Sequence, residues 1–358
     1  MKPKKLASIN QRYFLLFSGL VFLLFWKSFF RDFFFDQTIS FLVLGDFGVD
    51  EYDPEFMEEL SNSLKIMNQM WKLTRYFRRS PKAVFITGDL AYPSGVQNDT
   101  DDRLIRVFDR FPFDFRIQQP FYAVPGNHDC EGDISAWLEN RKRIFNWKSP
   151  EKGDLSYGEN VFQLPWGAKL RVISLNTCPL VCTPNQNETA RKRNFRCDLK
   201  MSKYSQEPRF FVEKQNQLNW MESLPEKHRN DWLIVLGHHP IFSFRGNGPT
   251  RELLGLLNWM RKLKVDIYFS GHDHALQYVQ GGDSRDPKFF ISGAGGYTIH
   301  SRLSSLADKS VNDENSAQLI HAQDSPGFMK LLVSSEYMTI EFFDLNGTET
   351  YKTRIWRK

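Results

Sequence analysis

A chain of 358 residues suits one large domain or two ordinary ones, and its 41% hydrophobic and 25% charged content is that of a globular protein. A net charge of +5 over this length is too weak and too dispersed for a nucleic-acid binder, so no nucleic-acid partner is expected. Four cysteines permit disulfides without defining a framework of them.

Residues 1–37 read as a targeting segment. Lys2, Lys4, Lys5 and Arg12 precede the apolar stretch Tyr13 to Trp26, which has the length of a signal-peptide core rather than of a full membrane span. No small-x-small cleavage site follows. The aromatic tail from Lys27 to Phe35 would lengthen the stretch into a signal anchor if Lys27 and Arg31 snorkel to the interface. A cleaved signal peptide and an uncleaved anchor both fit. An amphipathic helix on a cytosolic protein is the remaining alternative. The basic flank would keep the N-terminus cytoplasmic and send residues 38–358 across the membrane. The sequons at Asn98, Asn187 and Asn346 agree with the secretory pathway, whether the end point is secretion, a lysosome-like compartment or a membrane-anchored form with a luminal catalytic domain.

From Thr38 onward no biased linker divides the chain, and strand-like runs alternate with helical ones. The run Phe41 to Leu44 ends at Gly45-Asp46-Phe47-Gly48. Met57 to Phe77 is a helix, with Leu60, Leu64, Met67, Met70, Trp71 and Leu73 on one face. Ala83 to Ile86 ends at Gly88-Asp89-Leu90-Ala91-Tyr92, and Phe121 to Val124 ends at Gly126-Asn127-His128-Asp129. After a strand at Leu170 to Leu175 comes the least regular stretch, Cys178 to Phe211. It reads as a solvated loop or as a basic, protease-sensitive lip around Arg191-Lys192-Arg193. A Cys182–Cys197 bridge would close part of it, and Cys178 is an equal partner for either cysteine. A helix from Glu213 to Leu224 follows.

Trp232 to Leu236 then ends at Gly237-His238-His239-Pro240, and Ile267 to Ser270 at Gly271-His272-Asp273-His274. Between them, Gly248-Pro249-Thr250 precedes a helix from Glu252 to Leu263 with Thr250 as its candidate cap. Strands at Phe289 to Ile291 and Met338 to Phe343 complete a layered α/β fold, with its site where strand ends converge. Carboxylate, phenol, amide and imidazole groups at the ends of buried strands are costly unless something pairs with them. Two adjacent metal ions would do so. Hard oxygen donors with imidazoles suit iron, zinc or manganese. A shared carboxylate bridges ions about 3.5–4 Å apart, a spacing that clamps both oxygens of phosphoryl transfer.

These five blocks resemble those of the purple acid phosphatases, specifically the small tartrate-resistant branch of the calcineurin-like metallophosphoesterases. The resemblance implies a four-layer fold, two mixed β-sheets packed as a sandwich and flanked by helices. It implies an acid phosphatase that cleaves phosphate monoesters by attack of a metal-bound hydroxide at a binuclear Fe(III)-M(II) centre, M being iron, zinc or manganese. It assigns Asp46, Tyr92 and His274 to Fe(III), Asp89 to the bridge, and Asn127, His238 and His272 to the divalent ion. Tyr92 separates this family from the phosphoprotein phosphatases, which have no phenolate ligand. The counterpart of His128 binds phosphate or protonates the leaving group. Asp129 and Asp273 would orient imidazoles from behind the ligands.

Four departures stand out. Phe47 replaces the family's tryptophan. Asn247 replaces a substrate-facing histidine, and His239 replaces a tyrosine, so both become candidate substrate contacts. Glu252 replaces a cysteine, so the relatives' usual disulfide is not available in the same form. A monomer is expected. The alternatives are a membrane-anchored, phosphatase-like scaffold protein, whose known example in the apicomplexan glideosome has lost most ligands, and a phosphodiesterase of the same superfamily.

Overall fold

The computed structural model describes residues 38–49, 52, 54–76, 80–148, 156–165, 167–181, 208–245, 249–297 and 317–357. Its strands are β1 (Ile39–Leu44), β2 (Val84–Ile86), β3 (Phe121–Ala123), β4 (Gly158–Gln163), β5 (Lys169–Ser174), β6 (Trp232–Leu236), β7 (Ile267–Ser270), β8 (Leu276–Gln280), β9 (Lys288–Ser292), β10 (Gln318–Gln323), β11 (Gly327–Val333), β12 (Tyr337–Asp344) and β13 (Glu349–Trp356). The helices are α1 (Met57–Tyr76), α2 (Arg103–Asp109), α3 (Phe113–Gln118), α4 (Asn127–Glu131), α5 (Ile134–Arg143), α6 (Cys178–Val181), α7 (Pro208–Ser223) and α8 (Gly255–Leu263).

Two mixed sheets result, in the orders β13-β12-β11-β1-β2-β3 and β10-β8-β9-β7-β6-β5-β4. Each has a parallel centre, β1-β2-β3 in one and β5-β6-β7-β9 in the other. Parallel neighbours need crossover connections. Here α1 supplies the one from β1 to β2, α7 the one from β5 to β6 and α8 the one from β6 to β7. The central strands are buried on both faces, hence their unbroken apolar runs. In β1, Phe41 and Val43 join Phe85, Ile234, Phe269 and Leu331 in one core cluster, while Leu42 and Leu44 join Met67, Met70 and Phe108 in another. Phe41 stacks on Phe85 with centroids 4.8 Å apart. The expected sandwich of two mixed sheets flanked by helices is what forms.

Several details differ from expectation. In α1 the buried stripe runs through Ile66, Met67 and Met70, whereas Leu64 is 43% exposed. The helix expected from Glu252 is a 3-10 turn, Arg251–Leu253, followed by α8, and the Thr250 side chain makes no capping hydrogen bond. Cys178 pairs with Cys130, across a Cα separation of 6.6 Å, rather than with Cys182 or Cys197. The two chain segments involved, α4 and α6, start at neighbouring ends of the sheets, a proximity invisible in a sequence separation of 48. Cys182, Cys197 and Arg191-Lys192-Arg193 lie outside the described residues, as does the apolar stretch Tyr13 to Trp26. Among the described residues no helix is long and apolar enough to cross a membrane.

Candidate metal centre

The five ligand-bearing loops follow β1, β2, β3, β6 and β7, all strands of the two parallel centres, so they emerge at the carboxyl ends of those strands. Backbone hydrogen bonds join the loops in pairs. Asp46 N–H donates to Gly88 O at 3.0 Å, Tyr92 N–H to Gly48 O at 2.9 Å and Gly271 N–H to His238 O at 2.9 Å. Two glycines are needed for the close approach: a Cβ on Gly126 would overlap the Asp89 carboxylate, and one on Gly271 would overlap that of Asp46. Asp46, Asp89 and His272 have φ of 58°, 56° and 73°, a left-handed conformation rare for residues with a side chain and costing about 1–3 kcal/mol each. Strain of this kind at three donor positions is a mark of a functional site.

The seven predicted ligands come together, and their atoms fall into two groups. In one, Tyr92 Oη lies 3.3 Å from His274 Nε2, which lies 3.7 Å from Asp46 Oδ1. In the other, Asn127 Oδ1 lies 2.9 Å from both His238 Nε2 and His272 Nδ1, and those two nitrogens are 3.1 Å apart. Asp89 stands between the groups, with Oδ2 3.0 Å from Tyr92 Oη and 3.4 Å from His238 Nε2. Every oxygen donor (Asp46, Asp89, Tyr92, Asn127) comes from a loop of the six-stranded sheet, and every imidazole from a loop of the seven-stranded one.

The electrostatics call for cations. Asp46 and Asp89 are both buried, and each offers an oxygen within 4.8 Å of the other's and of a His238 nitrogen. Paired carboxylates at such a range repel unless a positive charge joins them. Burial, then the charges of Asp89 and Asp46, push the Tyr92 phenol well above its ordinary range. Burial and the Asp89 charge likewise push the Asp129 carboxyl up to about 8. The mix of hard oxygens and imidazoles fits iron, zinc or manganese, and two such ions would satisfy both carboxylates and release the phenol proton.

Supporting residues hold the donors in place, several of them not anticipated. His238 Nδ1 faces Thr87 O at 2.8 Å, which directs Nε2 into the centre. Thr177 Oγ1 accepts the N–H groups of His238 (3.3 Å) and His239 (3.2 Å) and contacts His239 Nδ1 at 2.8 Å. Tyr297 stacks on His274 with centroids 4.3 Å apart and lies 4.8 Å from the Tyr92 ring. Arg103, paired with Asp101 at 2.7 Å, donates to the carbonyls of Tyr92 and Gly95 and so braces the tyrosine loop. Thr177 carries no sequence signal. The glycine run before Tyr297 is the one clue to that residue.

Asp129 does not orient an imidazole: it accepts the N–H groups of Gly126 (2.8 Å) and Leu90 (3.0 Å), so it shapes the loops instead. Asp273 accepts the Ser243 hydroxyl. His128 donates its backbone N–H to Asp89 Oδ1 at 2.9 Å, and its Nδ1 meets Pro93 O. Its ring, 4.2 Å from that of Tyr92, is partly exposed where most donors are buried. His239 is buried, with its ring 4.7 Å from that of His272. Asn247 lies outside the described residues.

A mixed-sheet sandwich with paired carboxylates and imidazoles at its strand ends defines a metallophosphoesterase. The family model of calcineurin-like phosphoesterases matches residues 39–276, from the start of β1 to the start of β8 and across all five loops, and the chain belongs to that family. It is similar to tartrate-resistant acid phosphatase type 5 of Homo sapiens, 27% identical over 326 residues that cover 90% of this chain and 92% of the relative. Purple acid phosphatase 4 of Arabidopsis thaliana is 26% identical over 318 residues, covering 88% and 83%. Among solved structures, the yellow lupin purple acid phosphatase PPD1 aligns with a TM-score of 0.57 at 18% identity, covering 90% of this chain and 54% of that one. GAP50, described as the anchor in the inner membrane complex of Plasmodium, aligns with a TM-score of 0.66 at 17% identity, covering 90% of each chain. At these identities the two structures speak to the fold alone.

Proposed function

We propose that this protein is a metal-dependent acid phosphatase that hydrolyses phosphate monoesters, with Asp46, Tyr92 and His274 around Fe(III), Asn127, His238 and His272 around a divalent iron, zinc or manganese ion, and Asp89 shared. The division of the donor atoms into two groups with Asp89 between them carries this reading. When bound, the ions supply acidified water and the positive charge that offsets the phosphoryl oxygens.

The chain's own residues account for the remaining chemistry. Asp89 accepts from Tyr92 Oη–H and from His128 N–H, so one carboxylate aligns a ligand and the candidate acid together. With its Nδ1 on Pro93 O, His128 keeps Nε2 for the departing alcohol oxygen, to which it delivers a proton. His239 and Asn247 are the further substrate contacts of this reading. Residues 1–37 act as signal peptide or anchor and residues 38–358 as the catalytic domain in a secretory compartment. Exposed positions of Asn98 and Asn346 support glycosylation there.

The decisive experiment combines metal analysis, a visible spectrum and turnover of an aryl phosphate by the native protein. About two ions per chain, a visible charge-transfer band and monoester hydrolysis faster than diester hydrolysis are expected. Tyr92→Phe should bleach the band and leave the circular dichroism unchanged. Fewer than one ion per chain with no hydrolysis would turn the reading into that of a scaffold, and preference for diesters into that of a phosphodiesterase.

A further inference from the structure

Among the described residues, the Cys130–Cys178 disulfide is the one covalent link between a loop of the six-stranded sheet and a loop of the seven-stranded one. Its two ends lie beside candidate ligands of the same ion. Cys130 is in α4, three residues after Asn127, and its N–H donates to Gly126 O at 3.0 Å. Cys178 opens α6, next to Thr177, whose Oγ1 accepts the N–H groups of His238 and His239. Cys178 Sγ also lies 3.3 Å from Gly126 O, the residue before Asn127. One end of the bridge is thus fixed to the Asn127 loop and the other to the turn that carries the His238 loop.

The Cys178 end is a firm anchor. Asn176 Oδ1 accepts the Cys178 N–H at 3.1 Å. Asn176 N–H donates to Gln217 Oε1 at 2.9 Å, and Gln217 Nε2 returns a bond to Asn176 O at 2.9 Å, which ties the turn to α7. Leu175 N–H donates to Leu236 O at 2.8 Å, which ties it to β6. The α4 end is held by its own sheet, through His128 N–H on Asp89 and the Asp129 carboxylate on Leu90 N–H. Toward the His238 loop, α4 presents the disulfide and the donor atom Asn127 Oδ1, 2.9 Å from His238 Nε2. A bound ion would take over the contact between those two donors, which leaves the bridge to hold the loops in register.

Register matters most for this ion. An amide donor brings no net charge to attract a cation, so what it contributes depends on placement. The Fe(III) group differs on both counts. Asp46 and a metal-bound Tyr92 bring negative charge, and the braces there are Arg103 and the Tyr297 ring.

We propose that the Cys130–Cys178 disulfide is a positioning element of the divalent half of the centre, one that raises affinity for the divalent ion and leaves that for Fe(III) unchanged. The proposal rests on the assignment of ions in the phosphatase reading.

The test uses the full-length protein loaded with Fe(III) and titrated with Mn(II). The Cys130→Ser/Cys178→Ser variant should keep one Fe(III) per chain and the visible band of wild type. Its dissociation constant for Mn(II) should rise about tenfold to a hundredfold, the size of effect that residues behind metal ligands have. Its kcat on aryl phosphate should recover at saturating Mn(II), a rescue that a merely unstable fold would not give. Should the variant not fold, metal-free wild type is reduced with a water-soluble phosphine, freed of reagent and then loaded without oxygen. The phosphine takes up the oxygen of a water molecule, two electrons break the S–S bond, and the two protons of that water complete two thiols. Alkylation mapped by mass spectrometry identifies them as Cys130 and Cys178, and reoxidation should restore the Mn(II) affinity. Unchanged Mn(II) affinity without the bridge, or equal weakening of both ions, overturns the proposal and leaves the phosphatase reading standing. Wild-type protein that holds fewer than two ions overturns both.

Discussion

His128 shows how one side chain is prepared by its neighbours. Pro93 O takes its Nδ1 and Asp89 its backbone N–H, so the ring enters the site with one nitrogen already committed. His128→Ala should lower kcat by about 10²-fold or more on alkyl phosphates and far less on nitrophenyl phosphate, whose leaving group needs no proton. Equal losses on both substrates would make the residue a phosphate binder rather than an acid. At this scale the donors were legible because their chemistry is conspicuous: few side chains other than Asp89 or His272 are so expensive to bury at a strand end. Thr177 and Tyr297 were not, because a hydroxyl that accepts two backbone N–H groups, or a ring that stacks on His274, looks like any threonine or tyrosine until the fold brings it there.

The strand-to-loop junctions depend on glycine as much as on their donors. Gly271→Ala would drive a methyl group into Asp46 and Thr87 O, and should cost about 1–3 kcal/mol or more in urea unfolding, with loss of bound metal. Gly255→Ala, with open space at the start of α8, is the control and should stabilise by about 0.4–1 kcal/mol. If both substitutions proved neutral, the close packing of the loops would be refuted. The elements readable from sequence were those buried on both faces, such as β1, β6 and β7. The edge strands β4, β10 and β13 were not, since most of their residues are only partly buried or exposed and their patterns resemble loops. In β11 a buried Lys330 breaks the apolar run, and its partner Glu341, at 3.1 Å, sits on the neighbouring strand, where a linear reading cannot see it.

For the molecule as a whole, charge trapped at the sandwich mouth ties stability to metal content. Without ions the Asp129 carboxyl, raised to about 8 by burial and Asp89, favours its neutral form in the folded chain. Its contribution is therefore present at low pH and lost as pH rises from the ordinary carboxylate range through about 8. Chelated protein should have a lower urea midpoint at pH 8 than at pH 5, and reloading with metal should remove most of that difference. A chelated protein as stable at pH 8 as at pH 5 would argue against the trapped charge. The separation of donors by sheet has a consequence for how the protein matures. Of the seven candidate ligands, those with oxygen donors all sit on the six-stranded half and the imidazoles all on the seven-stranded half, so neither half would be a selective chelator by itself. If these side chains hold the ions, only a chain whose two sheets have closed on each other would present the mixed set, and cofactor acquisition would then act as a proofreading step that admits finished molecules and passes over unfinished ones.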